Sequence, residues 1–264
     1  MIRIALSGAL GRVSKAIAEA ISQNQDLELC AAIESPNHPG LGSKIGKVAV
    51  TSDLEKVIDS CDIVVDFTNP VTTVNHANIS AQHHKPYVSG TTGLSPDQLA
   101  VLKQASASIP IVHAPNMSVG VNLLYRLVQN AAGILGPDFD VEIIETHHRF
   151  KKDAPSGTAM RLADILKANQ NDSNSIGMDS HIIHGRNGMV GERPSNEIAV
   201  HAVRGGDVVG DHTVIFAGIG ERLEITHRAH SRATFANGVI RAIRFITDKP
   251  PGLYSMSDVI FPPT

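Results

Sequence analysis

Short apolar runs alternate with polar, glycine-bearing turns through the first half of the chain, and most turns lead into a stretch with helical spacing. Ile2 to Leu6 reads as a buried parallel strand that enters the turn Ser7-Gly8-Ala9-Leu10-Gly11. Beyond it Val13, Ala16, Ile17, Ala20 and Ile21 recur on one helical face. Leu27 to Ile33 forms a second strand ending at Glu34, and further strands are expected at Ile63 to Phe67, Tyr87 to Ser89 and Ile109 to His113. Helices fall between them, from Val71 to about His83 and from Ser95. There Ser95-Pro96-Asp97-Gln98 combines an N-cap, a first-turn proline and a reciprocal glutamine. Ser52-Asp53-Leu54-Glu55 has the look of a second capping box and predicts a short helix to Ser60, while Pro36 to Gly46 reads as a surface loop. The repeated strand, polar turn, helix unit predicts an α/β fold with a doubly wound parallel sheet of the Rossmann type.

The pattern changes after a long helix expected from Val119 to Leu135 and closed by Gly136-Pro137. Strand patterns now dominate, at Val141 to His148, His181 to His184, Ile198 to Val203, His212 to Ala217 and Leu223 to His227, with one helix at Gly157 to Lys167. This predicts a second, α+β domain built on an open sheet with one face covered by a helix. Gln170 to Gly177 is polar and expected to be mobile. Phe235, Val239, Ala242, Ile243 and Ile246 form a helical stripe apolar enough to return to the first domain. The expected boundaries are therefore 1–118, completed by 233–264, and 119–232.

At 264 residues and 42% hydrophobic content the chain is long enough for sizeable cores. A net charge of −3 with no polybasic stretch gives no reason to expect a nucleic-acid or membrane partner, whereas a small anionic substrate needs only local positive charge. Cys30 and Cys61 lie in apolar runs, where reduced, buried thiols are expected. With no signal-peptide pattern and no membrane-spanning run, a cytoplasmic protein is expected. None of the thirteen histidines makes the i, i+4 pairing of a helical zinc site, so no metal is expected.

The richest chemistry lies in His147-His148-Arg149-Phe150-Lys151-Lys152-Asp153-Ala154-Pro155-Ser156-Gly157-Thr158. A strand ends at the histidines and a helix starts after Ser156, so titratable groups stand beside the N–H groups of a helix N-terminus, a natural anion site. Successive strand residues face opposite sides, which gives His147 and His148 different jobs. Ser156 to Thr158 and Lys151 suit substrate carboxylates, and Lys151 or His147 suits proton delivery, with Lys151 the favoured donor. In the first half, Gly8 and Gly11 between strand and helix, with Glu34 at the next strand end, match a dinucleotide turn and its ribose-binding carboxylate.

These motifs resemble the dihydrodipicolinate reductase family of lysine and diaminopimelate biosynthesis. The resemblance runs through Gly8-x-x-Gly11-Arg12, Asp66-Phe67-Thr68, Gly90-Thr91-Thr92-Gly93, Asn116 to Asn122, Glu145-x-His147-His148-x-x-Lys151 through Ala159, Arg204-Gly205-Gly206, Gly210-x-His212 and Gly252-Leu253-Tyr254. It implies an NAD(P)H-dependent reductase acting on 4-hydroxy-tetrahydrodipicolinate, a small anionic cyclic amino diacid. It assigns His147 and Lys151 to catalysis and His148, Gly157 and Thr158, with Ser156, to substrate. It assigns Gly8, Ala9, Leu10, Gly11, Arg12, Val13, Glu34, Gly90, Thr91, Thr92, Ala114, Pro115, Asn116 and Met117 to NADH or NADPH. It also implies a homotetramer assembled through the second domain. Because nicotinamide and substrate must be brought together, closure about hinges near 118–122 and 232–235 is expected. Ser14 replaces the motif's third glycine, and Ser35 replaces an arginine carried by many members, which weighs against a 2′-phosphate. Two alternatives share part of the pattern: another two-domain dehydrogenase would lack the His-His and Pro-Ser-Gly-Thr pairing, and a non-catalytic nucleotide sensor could dispense with Lys151.

Overall fold

The computed structural model describes residues 1–168 and 180–262, so the polar stretch 170–177 lies outside the described residues. The chain opens with β1 (Ile2–Ser7), α1 (Arg12–Ser22), β2 (Leu27–Ile33), β3 (Lys44–Ile45), β4 (Val48–Thr51), β5 (Ile63–Asp66), α2 (Pro70–Gln82), β6 (Tyr87–Ser89), α3 (Pro96–Ala105) and β7 (Pro110–His113). It continues through α4 (Val119–Leu135), β8 (Asp140–His147), α5 (Gly157–Ala168), β9 (His181–Ile183), β10 (Glu197–Arg204), β11 (Gly210–Gly218) and β12 (Glu221–Ala229). It closes with α6 (Ala233–Ile246), β13 (Gly252–Tyr254) and α7 (Met256–Ile260). Two units result, Met1–Val119 with Arg232–Thr264, and Gly120–Ser231.

In the first unit the strands order as β13-β7-β6-β5-β1-β2-β4-β3, all parallel except the β3 edge. Parallel strands need helical crossovers, so both faces are covered and the strands are apolar on both sides. Ile4, Leu6 and Val65 pack with Ile17 and Ile21 of α1 and Val239, Ile243 and Ile246 of α6. On the other face Ala5, Val64, Tyr87 and Ile111 pack with Ala77 of α2 and Leu102 of α3. Local signals account for the helix ends. Asn69 accepts hydrogen bonds from Val71 and Thr72 at the start of α2, and the Ser95–Gln98 box is reciprocal.

Three expectations are corrected here. The helix expected from Ser52 to Ser60 is a series of tight turns with one 3-10 turn at Ile58–Ser60. Asp53 Oδ1 accepts from the Lys56 N–H at 3.3 Å, and Val57 and Ile58 N–H both bond the Leu54 carbonyl. So short a segment cannot offset helix nucleation, and burying Leu54 and Ile58 decides its path. The expectation of free thiols also fails, because a disulfide joins Cys30 and Cys61 with their Cα atoms 6.3 Å apart. The β1–β2 register skips at Cys30, pairing Ile4 with Leu29 and Ala5 with Ala31, and so takes Cys30 out of the regular ladder. The loop expected from Pro36 to Gly46 also contributes β3 to a short hairpin with β4.

In the second unit the strand order is β12-β11-β8-β10-β9, with β8, β10 and β9 parallel and β11 and β12 antiparallel. Val141, Ile143, Ile198, Val200, Val214 and Phe216 turn one sheet face onto α4 and α5, which contribute Leu124, Val128, Leu162 and Leu166. Two helices, not one, cover that face. Gly136, at φ 65°, stops α4 where a residue with a side chain would be strained.

Candidate active site

The first unit gathers its polar turns at the carboxyl ends of the parallel strands. From β1 the order runs to β2 on one side and to β5 on the other, and ligands of open α/β sheets bind at such a switch. Gly8 sits there at φ 70°, and a Cβ on it would strike the carbonyl of Phe67. The turn closes through Gly11 N–H to Gly8 O at 2.9 Å and Ala9 N–H to Ile33 O at 3.0 Å. Glu34 faces the turn, accepting from Leu10 N–H at 3.1 Å and from Ser35 N–H at 3.0 Å. α1 begins with no side-chain cap, and Gly11 and Arg12 are exposed while Val13 is half-buried. An uncapped helix start with a carboxylate one strand away suits a dinucleotide's phosphates and ribose. Ser14 is buried in place of the third glycine, its Oγ without a partner.

The loops after β5, β6 and β7 complete this edge. Asp66 is fully buried and accepts from Thr68 Oγ1 at 2.7 Å, Thr73 Oγ1 at 2.9 Å and Thr91 Oγ1 at 3.1 Å, with His76 Nδ1 at 2.8 Å. Burial opposes its charge, but His76 and the hydroxyls outweigh that and hold its pKa below the usual range. The Thr91 hydroxyl is thus turned inward, whereas Thr92 is exposed. Gly90 leaves room for the Phe67 ring. Ala114 and Met117 are buried, Pro115 is exposed, and Asn116 accepts from Ser118 N–H at 2.9 Å.

The second unit builds a denser cluster. Glu145 and His147, two apart on β8, share its buried face, while His148 lies just past the strand with its ring 6.3 Å from that of Phe150. The wholly buried Glu145 carboxylate accepts from His147 Nδ1 at 2.6 Å, from Ser156 N–H at 3.0 Å and from both terminal nitrogens of Arg204 at 2.8 Å. Arg204 reaches it because β10 runs parallel to β8 with Arg204 beside His147. Burial opposes ionisation of Glu145, yet Arg204, His147 and Ser156 hold its pKa below the ordinary range. Burial pushes His147 below its ordinary value despite the pull of Glu145. That direction favours the neutral ring, and a proton on Nδ1 toward the carboxylate would leave Nε2, beside Gly210, as the acceptor.

His212 stands opposite Glu145 in the β8–β11 register, its ring edge-on to His147 with centroids 5.2 Å apart. Burial, then the charge of His147, pushes its pKa down to about 3. Its Nε2 lies 3.1 Å from Ser156 Oγ, which also accepts from Ala159 N–H and so caps α5. Ser156 is therefore buried and committed, while Gly157 is exposed with nothing within 4 Å of where a Cβ would stand. Thr158 is half-buried and hydrogen-bonded to Tyr125. Lys151 Nζ pairs with Asp153 at 2.8 Å, and the peptide bond from Ala154 to Pro155 is cis.

Sequence reasoning gave no role to Glu145, Arg204, Gly210 or His212. Strand alternation alone would have set Glu145 beside His147, but Arg204 and His212 arrive through sheet pairing, which has no local signal. Among the described residues no group of histidine, cysteine and carboxylate side chains could hold a metal, and no helix is long and apolar enough to cross a membrane.

A doubly wound sheet whose glycine turn faces a strand-end carboxylate, in one chain with an open-sheet unit carrying a carboxylate-anchored histidine, defines a two-unit oxidoreductase of the pyridine-nucleotide class. Models of the N- and C-terminal parts of dihydrodipicolinate reductase match residues 2–117 and 120–260. The 4-hydroxy-tetrahydrodipicolinate reductase of Citrifermentans bemidjiense is 42% identical over 98% of this chain and 99% of its own. That of Nitrosomonas europaea is 46% identical over 98% of each. The dipicolinate-bound dihydrodipicolinate reductase from Paenisporosarcina sp. TG-14 superposes with a TM-score of 0.80 at 27% identity, covering 99% of this chain and 100% of its own. The chain belongs to the dihydrodipicolinate reductase family, and its activity is the NAD(P)H-dependent reduction of that family.

Proposed function

We propose that Met1–Val119 with Arg232–Thr264 binds the dinucleotide and that Gly120–Ser231 binds 4-hydroxy-tetrahydrodipicolinate, with Lys151 and His147 as its acid–base pair. The observation that carries this reading is His147, tied through Nδ1 to a buried carboxylate, in the same segment as the Lys151 ammonium and the start of α5. The reduced nicotinamide supplies a hydride. Electron density that builds on the substrate ring then needs a proton. With the His147 proton committed to Glu145, Nε2 accepts, so Lys151 is the donor and His147 orders or relays. Gly157 and Thr158 at the start of α5 hold one substrate carboxylate through N–H and hydroxyl groups, with His148 alongside and Ser156 shaping the turn from beneath. The relative solved with dipicolinate, a planar cyclic diacid, supports this substrate class.

In the first unit Gly8 to Val13 receive the pyrophosphate and Glu34 the adenosine ribose, while Gly90 to Thr92 and Ala114 to Met117 border the nicotinamide end. Glu34 and exposed Ser35 favour NADH, and exposed Arg12 leaves NADPH usable. Assembly as a homotetramer through the second unit's sheet is supported by exposed Ile144 and Val203 on the face away from its helices. The test is oxidation of NADH and NADPH by the full chain with enzymatically generated 4-hydroxy-tetrahydrodipicolinate, set against homoserine-pathway substrates. Turnover with the cyclic diacid alone supports the reading. Tight NADH binding without turnover of any substrate would leave only a nucleotide sensor.

A further inference from the structure

Glu145 has no surface exposure, and a buried carboxylate is costly unless it is paired and hydrogen-bonded on every side. Here both oxygens are used: Oε1 takes Ser156 N–H and one Arg204 nitrogen, and Oε2 takes the other Arg204 nitrogen and His147 Nδ1. Arg204 is itself fixed, donating to the carbonyls of Asp153 and Val203 at 2.7 Å. The bonds come from β10, from the turn before α5 and from β8 itself, so the carboxylate cannot rotate without breaking several at once. An ionised carboxylate only accepts, so the nitrogen of His147 that meets it must carry hydrogen.

We infer that Glu145, clamped by the fork of Arg204, is a positioning residue that locks His147 in the Nδ1–H tautomer and so makes Nε2 its only working nitrogen. The inference rests on the acid–base role proposed above. The rest of the surroundings agree. His212 closes one side of the ring edge-on, and Gly210 leaves Nε2 uncovered, since a Cβ there would come within 2.9 Å of it. The charged and titratable groups around His147 are Glu145 on its own strand, Lys151 beyond the strand end, Arg204 on β10 and His212 on β11. Glu145 and Arg204 act in opposite senses: the carboxylate draws a second proton to the ring and the guanidinium repels it. The carboxylate thus chooses the tautomer, while burial first, then the charges of Lys151 and Arg204, oppose the imidazolium that the carboxylate alone would favour.

The test is 15N NMR of histidine-labelled full-length protein without ligands, with the His147 signals assigned by their loss in His147→Gln. In the native protein Nδ1 is expected to be protonated and Nε2 bare near neutral pH. Glu145→Gln, which can donate as well as accept, is expected to give mixed tautomers and to lower kcat on the order of 10²-fold or more, with substrate KM changed by less than about threefold. Arg204→Gln is expected to raise the His147 pKa, and Glu145→Gln to lower it, a pair of opposite shifts that a merely structural role would not produce. If Glu145→Gln does not fold, the Arg204→Gln titration decides alone. A single Nδ1–H tautomer in Glu145→Gln, or an unmoved His147 pKa in Arg204→Gln, overturns the clamp. Native kcat in His147→Gln would instead refute the acid–base role of His147, while the spectra still judge the clamp.

Discussion

Replacing Gly210 by alanine tests the geometry around His147 with a single methyl group. The new Cβ would stand 2.9 Å from His147 Nε2, 3.3 Å from Cδ2 and 3.7 Å from His212 Cε1. Ordinary carbon contacts lie at about 3.5–4.0 Å, so the imidazole must move by roughly half an ångström or more. It has little freedom to do so, because Nδ1 is held at 2.6 Å by Glu145, which Arg204 holds in turn. Gly210 is outside the left-handed backbone region, so alanine adds no backbone strain and the effect is one of space. Overpacking of this kind costs about 1–3 kcal/mol, a fall in Tm of roughly 2–4 °C for each kcal/mol in a chain of this size. With His147 in the acid–base role proposed above, displacing it by a fraction of an ångström and covering its nitrogen should lower kcat by about 10- to 100-fold. The KM for NADH should stay unchanged, since the cofactor-binding residues proposed above all belong to the first unit and Gly210 to the second. Steady-state rates from loss of reduced-nicotinamide absorbance, with a thermal melt of the same preparation, give both numbers. A Gly210→Ala enzyme with native kcat would mean that Nε2 does not work from this position.

Lys151→Ala is expected to reduce kcat by roughly 10²-fold or more, and Lys151→Arg to give no rescue because arginine does not release its proton near neutral pH; near-native turnover in either would remove the lysine from the donor role. Ser35→Arg should improve kcat/KM with NADPH through a charge-assisted contact to the 2′-phosphate while leaving NADH nearly unchanged, and a native enzyme that strongly prefers NADPH would contradict the role given to Glu34. The pKa of His212, near 3 in the folded chain against 6.5 as its ordinary value, means that the unfolded chain binds the extra proton. The stability from keeping this ring neutral is complete above about pH 6.5 and is lost as pH falls toward about 3, by up to roughly 1.4 kcal/mol per unit. Urea midpoints between about pH 7 and pH 4 should fall less steeply in His212→Gln than in the native protein, and parallel slopes would show that His212 takes up no proton on unfolding.

Much of the architecture was decided within a few residues of each element. The run into Gly8, the stripe from Val13 to Ile21, the Ser95–Gln98 box and the stop of α4 at Gly136 act through hydrophobic period, caps and backbone freedom, which operate over a turn or two. The same locality explains the failure at Ser52-Asp53-Leu54-Glu55, where a capping pattern was present but burial of Leu54 and Ile58 overrode it. Half of the candidate site lies in one continuous segment, with His147, Lys151 and Ser156 within ten residues, and so could be read locally. The other half was settled by strand pairing. Arg204 meets Glu145 across 59 residues and His212 meets Ser156 across 56, and Cys30 meets Cys61 where the β1–β2 register skips. Sequence patterns state which face of a strand is buried, but which strands become neighbours depends on the free energy of the whole core. A charge as deeply buried as Glu145 is tolerable only once that choice has brought its partners.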